Sequence, residues 1–157
     1  MEFSELMRVF GDEFGLSDFK PSKAGQWNVV IDGMRIAFAE MADPARARMQ
    51  APLCPLPAQG REVFLQVLMD AMFMGHATGG ASFFVDEKDQ VFLQRTDPLP
   101  MLDYEAFKRT LERFVNVLEQ WRDVVAEFDA VAGDLEKSEQ DAADEVRRMN
   151  ADGFLKV

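Results

Sequence analysis

A nucleophile and a base, if this chain holds such a pair, have to be built from Cys54 and His76, its only thiol and its only imidazole. Their settings argue against it. Cys54 lies between Leu53 and Pro55 in a proline-rich stretch, where a half-buried spectator thiol is expected, and His76 follows Gly75 at what reads as a helix end. The carboxylate pairs Asp12-Glu13 and Asp86-Glu87 are adjacent along the chain and read as solvated charges, whereas an acid and a base need separation and distinct environments. One histidine and one cysteine do not make a transition-metal site. Gly79-Gly80 precedes a strand instead of opening a helix, so it is not a phosphate cradle. The expectation is no catalytic residue, no cofactor and no metal, which leaves binding as the chemistry to look for.

Composition limits what is bound. The 157 residues, 48% hydrophobic, suit one domain, and the formal net charge of −11 with a pI near 4.5 repels phosphate backbones and anionic lipid. Neither nucleic acid nor membrane insertion is expected, and a basic partner is favoured. A lone cysteine excludes an internal disulfide, and with no basic start followed by an apolar run the expected location is the cytoplasm.

Three segments supply the apolar surface. Phe3, Leu6, Met7, Phe10 and Phe14 keep helical spacing, with Glu2 and Glu5 at the positive end and Gly15 placed to stop the helix. Trp27–Ile31 and Met34–Phe38 flank Asp32-Gly33, a two-residue turn that sets Ile31 opposite Met34, Val29 opposite Ile36 and Trp27 opposite Phe38. All six share one face, and Asn28, Val30, Arg35 and Ala37 take the other. Ala45–Leu53 reads as a weaker third strand, stopped by Pro52, Pro55 and Pro57.

From Arg61 the chain carries more apolar surface than one small core can use. Val63, Phe64, Leu65, Val67, Leu68, Met69, Ala71, Met72 and Phe73 wrap more than half of a helix that ends near Gly75. A second hairpin, Ser82–Val85 with Gln90–Arg95, pairs Val85 with Val91, Phe83 with Leu93 and Phe84 with Phe92, which makes both of its faces apolar. Pro98 and Pro100 end it, Asp103 caps a third helix, and Phe107, Leu111, Phe114, Val115, Leu118, Trp121, Val125 and Phe128 form its stripe. The composition then turns acidic: residues 1–130 read as one domain and 131–157 as an acidic, weakly helical or disordered tail. The surplus surface has to be covered by a second copy, another protein or an apolar small ligand.

The order helix, three strands, helix, two strands, helix implies an α+β domain, an antiparallel twisted sheet packed by helices. Over Phe3 to Phe128 the chain resembles the type III secretion chaperones of the Tir-chaperone (CesT/SycE-like) family. The resemblance rests on Leu65-Gln66-Val67-Leu68-Met69-Asp70-Ala71, Gly79-Gly80-Ala81-Ser82-Phe83-Phe84-Val85-Asp86, Val91-Phe92-Leu93 and the stretch from Phe114 to Trp121. Two departures are the run Phe73-Met74-Gly75-His76, where the family often has an asparagine, and the longer acidic tail. The resemblance implies a homodimeric, ATP-independent cytoplasmic chaperone that holds the N-terminal segment of a secreted effector in extended form, with the secretion ATPase complex as a further partner. It places client contacts on the first helix and first sheet, at Phe3, Leu6, Val30, Arg35 and Ala37, and dimer contacts at Leu65, Met69, Met72, Phe84 and Phe92. A dimeric adaptor or regulator of the same fold, with no secretion client, is the alternative.

Overall fold

The computed structural model describes residues 1–151. Its elements follow the expected order: α1 (Phe3–Glu13), β1 (Trp27–Ile31), β2 (Met34–Ala42), β3 (Ala45–Pro55), α2 (Arg61–Met72), β4 (Ser82–Val85), β5 (Gln90–Pro98) and α3 (Tyr104–Ala151). Short 3-10 turns follow α2 and β5. The five strands make one antiparallel sheet in the order β1-β2-β3-β5-β4, so β1 and β4 are its two edges.

Both hairpins take the register that their sequences specify. Ile31 pairs with Met34, Val29 with Ile36 and Trp27 with Phe38, around a turn in which Asp32 and Gly33 have φ of 49° and 76°. Two successive positive φ values are what a type I′ turn demands, and Asp-Gly meets that demand at low cost. In the second hairpin Phe83 pairs with Leu93, Phe84 with Phe92 and Val85 with Val91.

The third strand departs from expectation. It continues through Pro52 to Pro55, paired with β5, with a register shift between Pro52 and Cys54. The prolines fit because pairing with β2 reaches only as far as Gln50, so beyond that point β3 has a free side, and a bulge takes up the missing donors.

Helices α1 and α3 pack on one face of the sheet. Phe10, Phe38 and Phe107 meet there edge to face, with centroids 5.5 to 5.8 Å apart, and join α1, β2 and α3 around Met7, Ile36, Met49, Leu93 and Leu118. Asp103 caps α3 as expected, its Oδ1 accepting from the Ala106 N–H at 2.7 Å. The segment from residue 131, read from sequence as a weakly helical or disordered tail, continues as the same helix through Ala151; residues 152–157 lie outside the described residues. Its Ala, Glu, Lys and Gln content favours helix, and Gln140 bonds Asp144 one turn on.

Candidate functional site

Among the described residues no constellation for catalysis is assembled. Cys54 is buried on β3, and burial first, then the charge of Asp129, pushes its thiol up to about 11, so it is protonated at neutral pH. His76 is exposed beyond the end of α2. Among the described residues no three His, Cys, Asp or Glu side chains form a metal-binding group, and no helix is long and apolar enough to cross a membrane.

Within the described residues two apolar surfaces bear on binding. The first is α2. Only Phe64 and Leu68 of this helix are buried, Phe64 against Phe128 of α3 at 5.1 Å between ring centroids. Val63, Leu65, Val67 and Met69 stay exposed, Met69 to 64%, and Phe73 and Met74 of the following turn to 76% and 74%. The segment after α2 is held on two sides. Trp121 Nε1 donates to the Ala77 carbonyl at 3.0 Å, and Arg95 donates to the Gly79 carbonyl while its other nitrogens bond Asp97 at 2.8 and 2.9 Å. Gly79 has a φ of +59° and lies so close to Arg113 and Val117 that a Cβ would come within 3.2 to 3.3 Å of them.

Of the residues expected at a dimer contact, Leu65 and Met69 are exposed on α2. Met72 is half-buried, and its sulfur accepts the Phe83 N–H at 3.2 Å, which ties α2 to the edge strand β4. Phe84 and Phe92 stack nearly parallel, 6° apart with centroids at 5.0 Å, half-buried and outside the core.

The second surface is at the opposite edge of the sheet. A groove of about 590 Å³ runs between β1, the end of α1 and the first half of α3. Phe14, Leu16, Val29, Val30, Leu111 and Val115 give it apolar walls, and Lys108, Glu112, Asn116 and Asp32 add polar groups. Phe14 and Val30 are 57% and 63% exposed. Lys108 bonds Glu13 at 2.9 Å and lies 3.7 Å from Glu105, bridging α1 and α3. The Tyr104 hydroxyl, then Lys108, holds the Glu13 carboxyl below its usual range.

The residues expected to touch a client divide sharply. Phe3 and Leu6 belong to the core, at 4% and 0% exposure, because the apolar stripe of α1 is turned onto the sheet and α3; this removes them from any surface of the folded chain. Val30 and Arg35 are exposed and paired across the first hairpin, and Ala37 is half-buried beyond them. Sequence reasoning passed over Phe14, Leu111 and Val115 as groove residues, since each sits in a stripe read as core, and over Lys108, a charge beside the α3 stripe. The usable signal was Val30, an apolar residue on the polar side of an edge strand.

A family model, Tir chaperone protein (CesT) family, matches residues 5–122. The chain belongs to that family. Solved structures share its fold: a chain of the ExsC-ExsE complex at TM-score 0.66 and 21% identity, covering 78% of this chain and 96% of that one. A chain of the HopA1-SchA chaperone-effector complex matches at 0.63 and 16%, over 77% and 93%. A chain of the complex of the Yersinia pestis type III secretion chaperone SycH with a fragment of YscM2 matches at 0.60 and 16%, over 76% and 99%. No curated protein matches the chain in sequence. The CesT-family match takes in the groove-lining residues from Phe14 to Asn116 and the whole of α2, so both apolar surfaces belong to the part shared with the family.

Proposed function

We propose that this protein is a cytoplasmic type III secretion chaperone that binds the N-terminal segment of an effector in extended form and keeps it export-competent without ATP. The observation that carries this reading is the open β1 edge beside an apolar groove, within a chain of the CesT family. An extended peptide can add to β1 through main-chain hydrogen bonds and place alternate side chains against Val30, Phe14 and Val115. The β4 edge is less suited, because Met72 already takes the Phe83 N–H. One of the solved structures that share the fold is a chaperone-effector complex, which agrees with a protein client.

The exposed apolar face of α2 supports a homodimer, with Leu65 and Met69 at its centre and Met72, Phe84 and Phe92 at its margin. Two copies would double the groove and spread modest contacts over a long client segment. A contact with the secretion ATPase complex belongs to the same reading. Binding needs no catalytic group.

Affinity capture of the tagged full chain from its native cytoplasm, followed by limited proteolysis of what co-purifies, tests the proposal. A protected N-terminal segment of one larger protein is the expected result, lost in Val30→Asp. A protease-resistant folded domain would instead establish the adaptor reading.

A further inference from the structure

Leu118, Trp121, Val125 and Phe128 step along α3 by three and four residues and dock it on the domain, the first three buried and Phe128 half-buried. The same alternation continues without a phase break through Ala132, Leu135, Glu139, Ala142 and Val146, the spacing of a coiled-coil seam. Ala132 is half-buried, while Ala142 and Val146 are exposed, Val146 to 57%. The CesT-family match ends at residue 122, so this stretch of helix is outside what the family shares.

On the seam and its flanks the charges are acidic only: Glu139 occupies a seam position and Glu136 and Glu145 flank it, whereas Lys137, Arg147 and Arg148 share the remaining positions with Asp134, Asp141 and Asp144, Arg147 lying 3.6 Å from Asp144. At the root of the continuation, Gln59, Gly133, Glu136, Lys137, Glu139 and Gln140 line a depression of about 610 Å³ in which the carboxylates outnumber the ammonium. We propose that residues 132–148 of α3 are a docking seam for a basic amphipathic helix of a partner protein. Apolar side chains of that helix would meet Ala132, Ala142 and Val146, and its Lys or Arg side chains would meet Glu136, Glu139 and Glu145. A second copy is the poorer occupant, because two such arms bring acidic flanks together.

The test uses the full chain and three synthetic three-heptad peptides: leucine seam positions flanked by lysine, the same seam flanked by glutamate, and a scramble of the lysine peptide. Fluorescence anisotropy should show the lysine-flanked peptide binding at least about tenfold more tightly than the other two. That preference should disappear in Ala142→Asp/Val146→Asp and reverse toward the glutamate-flanked peptide in Glu136→Lys/Glu139→Lys/Glu145→Lys. Equal binding of the scramble, no binding of any peptide, or seam variants that change nothing would overturn the proposal. So would a fall in the mass of the protein alone on Ala142→Asp/Val146→Asp, which would put a second copy on the seam.

Discussion

Helix α2 and the first half of α3 are both rich in large apolar residues, yet they use them in opposite ways. From Phe107 to Val125, α3 buries eight apolar side chains against the sheet and its neighbours. In α2 only Phe64 and Leu68 are buried, and four large apolar residues remain exposed. Two buried anchors four residues apart are enough to seat a short helix, because side chains at that spacing lie one above the other on a single face. The difference teaches that apolar content states a need for cover without saying who supplies it. Periodicity does say: a stripe of single width is turned inward, and a helix that is apolar around most of its circumference keeps the surplus for a partner.

The comparison breaks most visibly on the α3 side. Phe114→Ala removes a fully packed ring and is expected to cost about 3 to 5 kcal/mol, measured as a fall in the urea midpoint with loss of helical signal. Met69→Asp on α2 should change the stability of the isolated chain by less than about 1 kcal/mol, because the side chain is 64% exposed. On the dimer reading it should also halve the mass in light scattering; an unchanged mass would remove α2 from the interface. A subtler change sharpens the boundary within α3. Gly133 sits inside the helix with nothing within 4 Å of where a Cβ would stand, so Gly133→Ala is expected to stabilise that turn by about 0.5 to 1 kcal/mol. Slower amide exchange on either side of residue 133 would show it, and faster exchange would contradict it.

Much of the fold was legible because its signals are local. Asp32-Gly33 sets the first register by itself, and pairing Val85 with Val91 sets the second. The end of β3 was not legible: whether Pro52 and Pro55 can sit in a ladder depends on which side of the strand is paired, and that is decided by where β2 stops. The site divides in the same way. The resemblance names all five client residues, but for Val30 and Arg35 alternation along β1 and β2 independently gives the polar face of the hairpin, and they are exposed. Phe3 and Leu6 were assigned by resemblance to surfaces, but the direction in which α1 faces follows from its docking on Phe38 and Phe107, a long-range fact. Lys108 and Val115 became groove residues only through the approach of α3 to the β1 edge, for which one strand of sequence holds no signal.

The smallest expected effect concerns the link that holds the end of α1 to α3 beside the groove. Glu13 and Lys108 are 2.9 Å apart, both partly exposed, so the bond is screened and its contribution modest. Its pH dependence nevertheless has a definite sign. The Tyr104 hydroxyl and Lys108 lower the Glu13 pKa from the ordinary 4.5, so the folded chain binds this proton less readily than the unfolded chain does. The stabilisation is therefore complete above that ordinary value and is lost as the pH falls through the lower, folded value. Lys108 is shifted upward by the same partner, so its own contribution is present below its usual range and is lost only in strong alkali, outside this window. Urea midpoints of the wild type and Glu13→Gln should differ by a constant amount from neutral pH down to the ordinary carboxyl range and then converge as the solution becomes more acid. Convergence beginning well above pH 4.5 would mean that another group carries the effect. A gap that persists at about pH 2 would mean that the carboxylate charge is not what joins α1 to α3.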